Sequence, residues 1–286
     1  MMQEGWLIYN KQDAEKNKTF IDWFIGEAYL QNLSLKLIFR EELTIGIMNN
    51  ERIIYKNGKR ITQPDFAIVR TIEPLLNKHL EACGITAFNS SNVARICNNK
   101  ALTHHYITDL SIPMVDTIYI KKELITATPP ISYPFVIKDV LGRGGKQVYM
   151  IENYQEWLEG IEKYIENDII IQRCDVQLGK DIRVFVVGKE IIGAVLRMST
   201  NDFRANFKLG GSARWYELND NETSMINKII NYFDFDMVGI DFLIGANGEM
   251  LFNEIEDVVG SRTLSSVSHI NILREYVKHI KQKLSN

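Results

Sequence analysis

Apolar positions along the chain recur with two periods, near 2 and near 3.6, and the switches between them divide it into strands and helices. Runs 6–9 and 35–39 read as strands, and between them Phe20, Trp23, Phe24, Ala28 and Gln31 fall at helical spacing to give one mostly apolar face. A further strand over 66–69 ends at Arg70, and a helix follows from Pro74 to near Gly84, residues suited to a helix start and stop. Residues 91–110 predict two short helices, the first capped by Ser90 or Ser91, and Ile112-Pro113 opens a strand-rich stretch. Trp157, Leu158, Ile161, Tyr164 and Ile165 then share one helical face, which reads as core. The remainder predicts strands at 169–174, 182–187 and 190–197, a loop, a helix near 222–233, a hairpin, and a C-terminal helix with Leu273, Tyr276, Val277, Ile280 and Leu284 on its apolar side. No internal repeat interrupts this order. The alternation predicts an α/β chain in three parts: an N-terminal α/β unit over 1–92, a central part with a glycine-rich segment over 93–170, and a C-terminal part over 171–286.

Length and composition agree with that division. A chain of 286 residues, 45% hydrophobic and 24% charged, can bury a sizeable core and exceeds the usual size of one compact domain. A formal charge of -3 gives no general electrostatic reason to bind nucleic acid or an anionic membrane. No window reaches the roughly 20 apolar residues of a spanning helix, so a soluble cytoplasmic protein is expected, and a homo-oligomer is compatible with the sequence. Cys83, Cys97 and Cys174 lack C-x-x-C spacing, and the five histidines lack metal-ligand spacing, which argues against a disulfide framework or a zinc site.

The sharpest chemical signal is the predicted hairpin over 237–256. If Asn247 and Gly248 form a two-residue turn, Ala246 faces Glu249, and counting outward sets Asp241 opposite Glu254 with Glu256 on the same side. Val238, Ile240, Phe242, Ile244, Leu251 and Ile255 then form the core side. Opposed carboxylates destabilise a ladder, and no basic residue alternates among these positions, so hard divalent cations are the expected relief. The bland alternative is a solvated polar face.

Two further signals are cationic. The strand ending in Lys138 leads into Gly142-Arg143-Gly144-Gly145-Lys146, where glycines let backbone amides approach phosphate oxygens and the lysines supply charge. It does not match the G-x-x-x-x-G-K-[ST] loop, and an ordinary hairpin turn reads equally well. Further on come Lys180, Asp181-Ile182-Arg183, Arg197 and Arg204-Ala205-Asn206 before Gly210-Gly211. Arginines aimed at a reacting phosphoryl group stabilise charge developing in transfer, although each alone is an ordinary surface charge. Arg70, at a strand's carboxyl end, reads either as a substrate-carboxylate ligand or as a surface ion pair.

Taken in order, these residues resemble the ATP-grasp superfamily, and more narrowly its amino-acid ligases of the RimK and LysX type, over about residues 88–260. The resemblance implies an α+β ATP-grasp fold: a Rossmann-like N-terminal domain, a small lid subdomain and a C-terminal mixed or antiparallel sheet domain, with ATP between the last two. Asn99-Lys100 stands where the family has a D-K pair, and Val136-Ile137-Lys138 with Gly142, Gly144, Gly145 and Lys146 corresponds to its lysine strand and phosphate lid. Gln172, Arg173 and Cys174 fall at the adenine hinge, Asp181 and Arg183 in the D-I-R stretch, and Arg197, Arg204 and Asn206 in the arginine positions and R-x-N loop. Asp241, Glu254 and Glu256 match the metal motif, with two magnesium ions implied and manganese a substitute. Two departures stand out: Glu256 replaces the family's asparagine, and 257–262 replaces the S-P-G loop that borders the acceptor pocket.

The implied reaction phosphorylates a carboxylate with ATP and passes the acyl group to an amine. Arg197 and Arg183 are the implied catalytic arginines, and Arg70, Arg204 and Arg262 are candidates for substrate. Two rivals share the same ATP site: a kinase acting on a hydroxyl, and a non-catalytic ATP-binding module.

Overall fold

The computed structural model describes residues 2–163, 165–205 and 211–285. Its N-terminal unit is built on a parallel sheet of β1 (Gln3–Tyr9), β2 (Leu33–Phe39), β6 (Phe66–Val69) and β7 (Thr86–Phe88), in the order β2-β1-β6-β7. The inner strands β1 and β6 are almost wholly buried, as parallel strands covered on both faces must be. Helices α1 (Lys11–Lys16), α2 (Lys18–Leu30) and α3 (Pro74–Ala82) belong to this unit, and an antiparallel insertion of β3 (Leu43–Met48), β4 (Glu51–Lys56) and β5 (Lys59–Arg60) precedes β6.

Two short helices follow, each capped by a side chain at the residue before it. Ser90 Oγ accepts from the Val93 amide ahead of α4 (Ser91–Cys97), and Asn99 Oδ1 accepts from the Leu102 amide ahead of α5 (Lys100–Thr108). The second cap explains how asparagine serves in the Asn99-Lys100 pair: its side-chain oxygen satisfies the helix end and sets Lys100 at the first turn.

The lid subdomain is an antiparallel sheet, β10-β9-β11-β8, made of β8 (Thr117–Ile120), β9 (Phe135–Asp139), β10 (Val148–Ile151) and β11 (Ile169–Arg173). Helix α6 (Tyr154–Lys163) covers one face, where the fully buried Trp157 packs with Phe135, Ile137, Ile169 and Ile171. The period of two therefore places Val136, Lys138, Ile170 and Gln172 on the other face, and the register sets Lys138 beside Ile170 and Val136 beside Gln172. All four are buried.

The largest sheet is antiparallel, β14-β13-β12-β15-β16. Its strands are β12 (Val176–Val187), β13 (Glu190–Met198), β14 (Ser212–Tyr216), β15 (Met237–Gly245) and β16 (Met250–Glu256), with α7 (Asp220–Tyr232) between β14 and β15. One face is apolar along its length, with Ile182, Val184, Val186, Ile240 and Phe242 packed on α4, α5 and α7. The other face changes character along the strands. Phe185, Val187, Val195 and Met237 are covered by α8 (Arg262–Val267) and α9 (Ile272–Ser285), while Asp181, Arg183, Arg197 and Asp241 occupy the continuation of the same face. The apolar half anchors the N-terminal unit, for Tyr276 of α9 meets Phe24 of α2 at 5.5 Å between ring centroids. The charged half is left for chemistry.

Two sequence expectations change here, and three residues named above are not placed. Helix α8 was not foreseen, because six residues are too few for a periodic pattern. Strand β12 begins at Val176 rather than 182, since Gly179, Lys180 and Asp181 break the apolar alternation between Leu178 and Ile182. Tyr164, Asn206 and Gly210 lie outside the described residues.

Candidate active site

The hairpin brings Asp241 opposite Glu254, but by a different route from a two-residue turn. The Gly245 amide donates to the Glu249 carbonyl and Gly248 takes φ of 89°, so the loop holds three residues and is one residue longer than expected. Pairing then runs Ile244 with Met250, Leu243 with Leu251 and Phe242 with Phe252, until a β-bulge at Asn253 inserts one residue and restores Asp241 to Glu254 and Gly239 to Glu256. The two irregularities cancel at the carboxylates and not between them. Met250 and Phe252 are therefore the core residues, and Leu251, expected in the core, is only half-buried.

The opposed carboxylates are not left facing each other. Arg183, their neighbour on β12, donates from Nε to Asp241 Oδ1 at 2.7 Å and from Nη2 to Oδ2 at 2.6 Å, while its Nη1 lies 2.6 Å from Glu256 Oε2. Arg197 grips Asp181 with two bonds of 2.6 Å and reaches Asp241 Oδ2 at 2.8 Å. Counting charges along the hairpin alone misses this relief, because the cations stand on the next two strands of the sheet. Burial alone would raise the Asp241 pKa, but Arg183 and Arg197 overcome it and hold the carboxyl at about 2. Asp181, also buried, is pushed up to about 6 against the pull of Arg197.

The facing wall comes from the lid sheet and from α5. Lys138 Nζ donates to Asn253 Oδ1 at 2.6 Å, and burial lowers its pKa to about 8. Lys100 Nζ lies 3.2 Å from Glu254 Oε2 and donates to the Gly142 carbonyl of the glycine loop. In that loop Gly144 and Gly145 have φ of 60° and 72°, a conformation that favours glycine. Arg143 approaches Asp257 at 3.9 Å, and burial raises the Asp257 pKa to about 6. Four carboxylates (Asp181, Asp241, Glu254, Glu256) thus stand among four cations (Lys100, Lys138, Arg183, Arg197).

The remaining sequence candidates are placed less evenly. Gln172 is buried on the Lys138 side of the lid sheet and donates to Thr117 Oγ1, while its Oε1 is buried without a hydrogen-bond partner among the described residues. Arg173 is exposed and pairs with Asp116 and Asp175, and Cys174 is half-buried just beyond β11. Lys146 is exposed at the end of the glycine loop. Arg204 pairs with Asp202 at 2.6 Å and donates to the Gly145 carbonyl, tying its loop to the lid. Arg70 is buried, with Nη2 on the Val259 carbonyl at 2.7 Å and its guanidinium over the Phe20 ring. Arg262 is exposed and reaches Asn17 Oδ1 at 3.2 Å. Sequence reasoning missed Asn253 and His104: the first becomes polar-facing only through the bulge, and the second carries no motif.

The RimK-like ATP-grasp domain matches residues 97–280, well over half of the chain. The chain belongs to this family. It is similar to the glutamate–LysW ligase ArgX of Sulfurisphaera tokodaii, 26% identical over 268 residues that cover 89% of this chain and 95% of the relative. A RimK domain ATP-grasp protein from Sphaerobacter thermophilus superposes with a TM-score of 0.75 at 16% identity, covering 96% of this chain and 98% of that one. The ATP-grasp ligase PsnB, solved with a precursor variant, Mg and ADP, superposes with a TM-score of 0.72 at 14% identity, with 98% of each chain covered. The mixed parallel and antiparallel sheets are thus an ATP-grasp fold.

The residues present fit the family's nucleotide and metal. Among the described residues, no cluster of three or more His, Cys, Asp or Glu side chains is pre-assembled around one metal position. The donors are nevertheless hard oxygens, which suit magnesium, and each carboxylate offers about four lone-pair sites, so one contact to Lys100 or Arg183 leaves Glu254 and Glu256 able to ligate. The unpaired Gln172 Oε1 is a ready acceptor for an exocyclic amino group, and Lys138 on the same sheet face suits phosphate. Among the described residues no helix is long and apolar enough to cross a membrane.

Proposed function

We propose that the protein is an ATP- and magnesium-dependent carboxylate–amine ligase that forms an amide bond through an acylphosphate and releases ADP and phosphate. The observation that carries this reading is the charged half of the large sheet, where Asp241, Arg183 and Arg197 form one buried network, Lys138 reaches the adjacent Asn253, and Lys100 joins Glu254 to the glycine loop. The site is balanced in charge, and ATP with two divalent cations adds no net charge, so both can enter without leaving a large uncompensated charge in a buried place.

On this reading Gln172 and the backbone at Arg173 and Cys174 hold adenine, Lys100, Lys138, Lys146, Gly142, Gly144 and Gly145 hold phosphates, and Asp181 and Asn206 complete the nucleotide site, Asp181 through its grip on Arg197. Asp241, Glu254 and Glu256 hold two magnesium ions, which supply Lewis acidity to the transferring phosphoryl group. A substrate carboxylate oxygen attacks the γ-phosphorus and the bond to ADP breaks. Arg197, fixed by Asp181 and Asp241, steadies the developing charge, and Arg183 holds Asp241 and Glu256 in register. The amine nitrogen then attacks the acyl carbon, phosphate leaves, and the nitrogen gives up its proton. Orientation of the amine beside the acylphosphate contributes several kcal/mol to this second step. Arg70, Arg204 and Arg262 are the proposed substrate ligands, and an amino acid, a peptide terminus or a carrier protein offers the amine.

The test is release of ADP and phosphate with magnesium-ATP and pooled amino acids and short peptides, with hydroxylamine in a parallel sample. Carboxylate-dependent release with hydroxamate formed is the expected result. A stable phosphorylated product without hydroxamate would assign the site to a kinase instead, and tight ATP binding without turnover on these small substrates would point to a macromolecular substrate or a binding role.

A further inference from the structure

Helix α5 delivers two side chains to β16 from one face. Lys100 stands at its first turn and His104 one turn later, the i, i+4 spacing that aligns residues on a helix. Lys100 meets Glu254, and His104 Nε2 lies 2.8 Å from the carbonyl oxygen of Asn253, the residue inserted by the bulge. The His104 ring also packs edge-on against Phe252, with ring centroids 5.6 Å apart. One imidazole therefore holds the inserted residue and the last paired residue before it.

That histidine is a costly choice for a structural position. It is buried, and its Nδ1 has no hydrogen-bond partner among the described residues. A buried polar atom left unpaired destabilises the fold, a cost that a phenylalanine of similar shape would avoid. The benefit lies in the bulge. An extra residue in a strand has no ladder partner to define it, so its carbonyl needs a donor from elsewhere. With that carbonyl fixed, the Asn253 side chain is aimed at Lys138 and Glu254 falls opposite Asp241.

We propose that His104 is a positioning residue, which through its Nε2 bond to the Asn253 carbonyl fixes the β16 bulge and thereby the placement of Glu254 and Asn253 toward metal and phosphate. The ring is the tautomer protonated at Nε2, consistent with burial lowering its pKa to about 4. The metal consequence rests on the ligase reading, whereas the effect on the bulge does not.

The experiment compares His104→Phe, His104→Gln and His104→Asn in the ligand-free full chain and with magnesium-ADP. Phenylalanine keeps the ring packing without a donor, glutamine places a donor nitrogen where Nε2 stands, and asparagine places one where Nδ1 stands. Amide hydrogen exchange over 250–256 in the ligand-free protein is expected to accelerate about tenfold in the phenylalanine and asparagine variants and to stay near wild type in glutamine. Calorimetric titration is expected to show magnesium-ADP binding weakened about tenfold in the same two variants and restored in glutamine. Wild-type exchange and affinity in His104→Phe, or equal impairment in His104→Gln, would overturn the proposal. If His104→Phe does not fold, the contrast between glutamine and asparagine decides in the same way. Absence of magnesium-ADP binding by the wild type would count against the ligase reading, and the exchange measurement would still decide the role of His104.

Discussion

Lys138 shows how the site sets stability against function, and replacing it with methionine measures the conflict. Burial lowers its pKa from 10.5 to about 8, which at about 1.4 kcal/mol per unit is a penalty of roughly 3 kcal/mol for holding the charged form in the fold. The group is a base with a depressed folded value, so the penalty is full below about pH 8, shrinks as the pH rises, and is gone above the unfolded value of 10.5. Methionine fills similar volume without charge and removes the bond to Asn253 Oδ1, worth about 1 kcal/mol. The variant should therefore be more stable than the parent by about 2 kcal/mol near neutral pH, with the advantage gone above about pH 10. Urea unfolding of both ligand-free proteins, followed by fluorescence at the two pH values, reads this difference directly. A variant less stable than its parent at neutral pH, or an advantage that does not shrink with rising pH, would refute the reasoning. Nucleotide affinity should fall in the same protein, so the lysine would be kept for binding and at the expense of the fold.

Other changes probe separate parts of the site. Arg183→Met leaves Asp241 and Glu256 without their shared guanidinium, and thermal or urea unfolding should show a loss of about 3 to 5 kcal/mol. Glu256→Asn restores the family's amide and leaves both Arg183 bonds to Asp241, so stability should change by less than about 1 kcal/mol because Glu256 is partly exposed. The magnesium concentration for half-maximal binding of ADP should nevertheless rise severalfold, which calorimetry over a magnesium series would read. Gly142→Ala puts a Cβ 2.9 Å from Asp139 Cβ and 3.2 Å from the Asp139 carbonyl, forcing the glycine loop to shift. Its KM for ATP should rise by about tenfold through misplaced phosphate contacts, and an unchanged KM would remove the loop from the nucleotide site.

The sequence by itself determined the order of the main elements and that Asp241 and Glu254 lie on facing strands of one hairpin, whereas their direct opposition depends on a loop and a bulge that cancel. Apolar periodicity reports which side of each element is buried, and that information is local, so the strands at Phe66–Val69 and Phe135–Asp139 and the helix at Ile272–Ser285 were legible within a residue or two. The lysine strand, glycine loop and carboxylate hairpin were legible together because several motifs in order constrain one another. Tertiary structure alone decided what surrounds those carboxylates. Arg183 neutralises the hairpin from the next strand, Arg197 from the strand beyond, and Lys138 from a different sheet, and none of these pairings leaves a trace in local spacing. The bulge at Asn253 was equally hidden, since an extra residue preserves the alternation on either side and is fixed by a helix more than a hundred residues earlier, through His104. Periodicity encodes burial one element at a time, whereas charge compensation and register are settled by which elements meet.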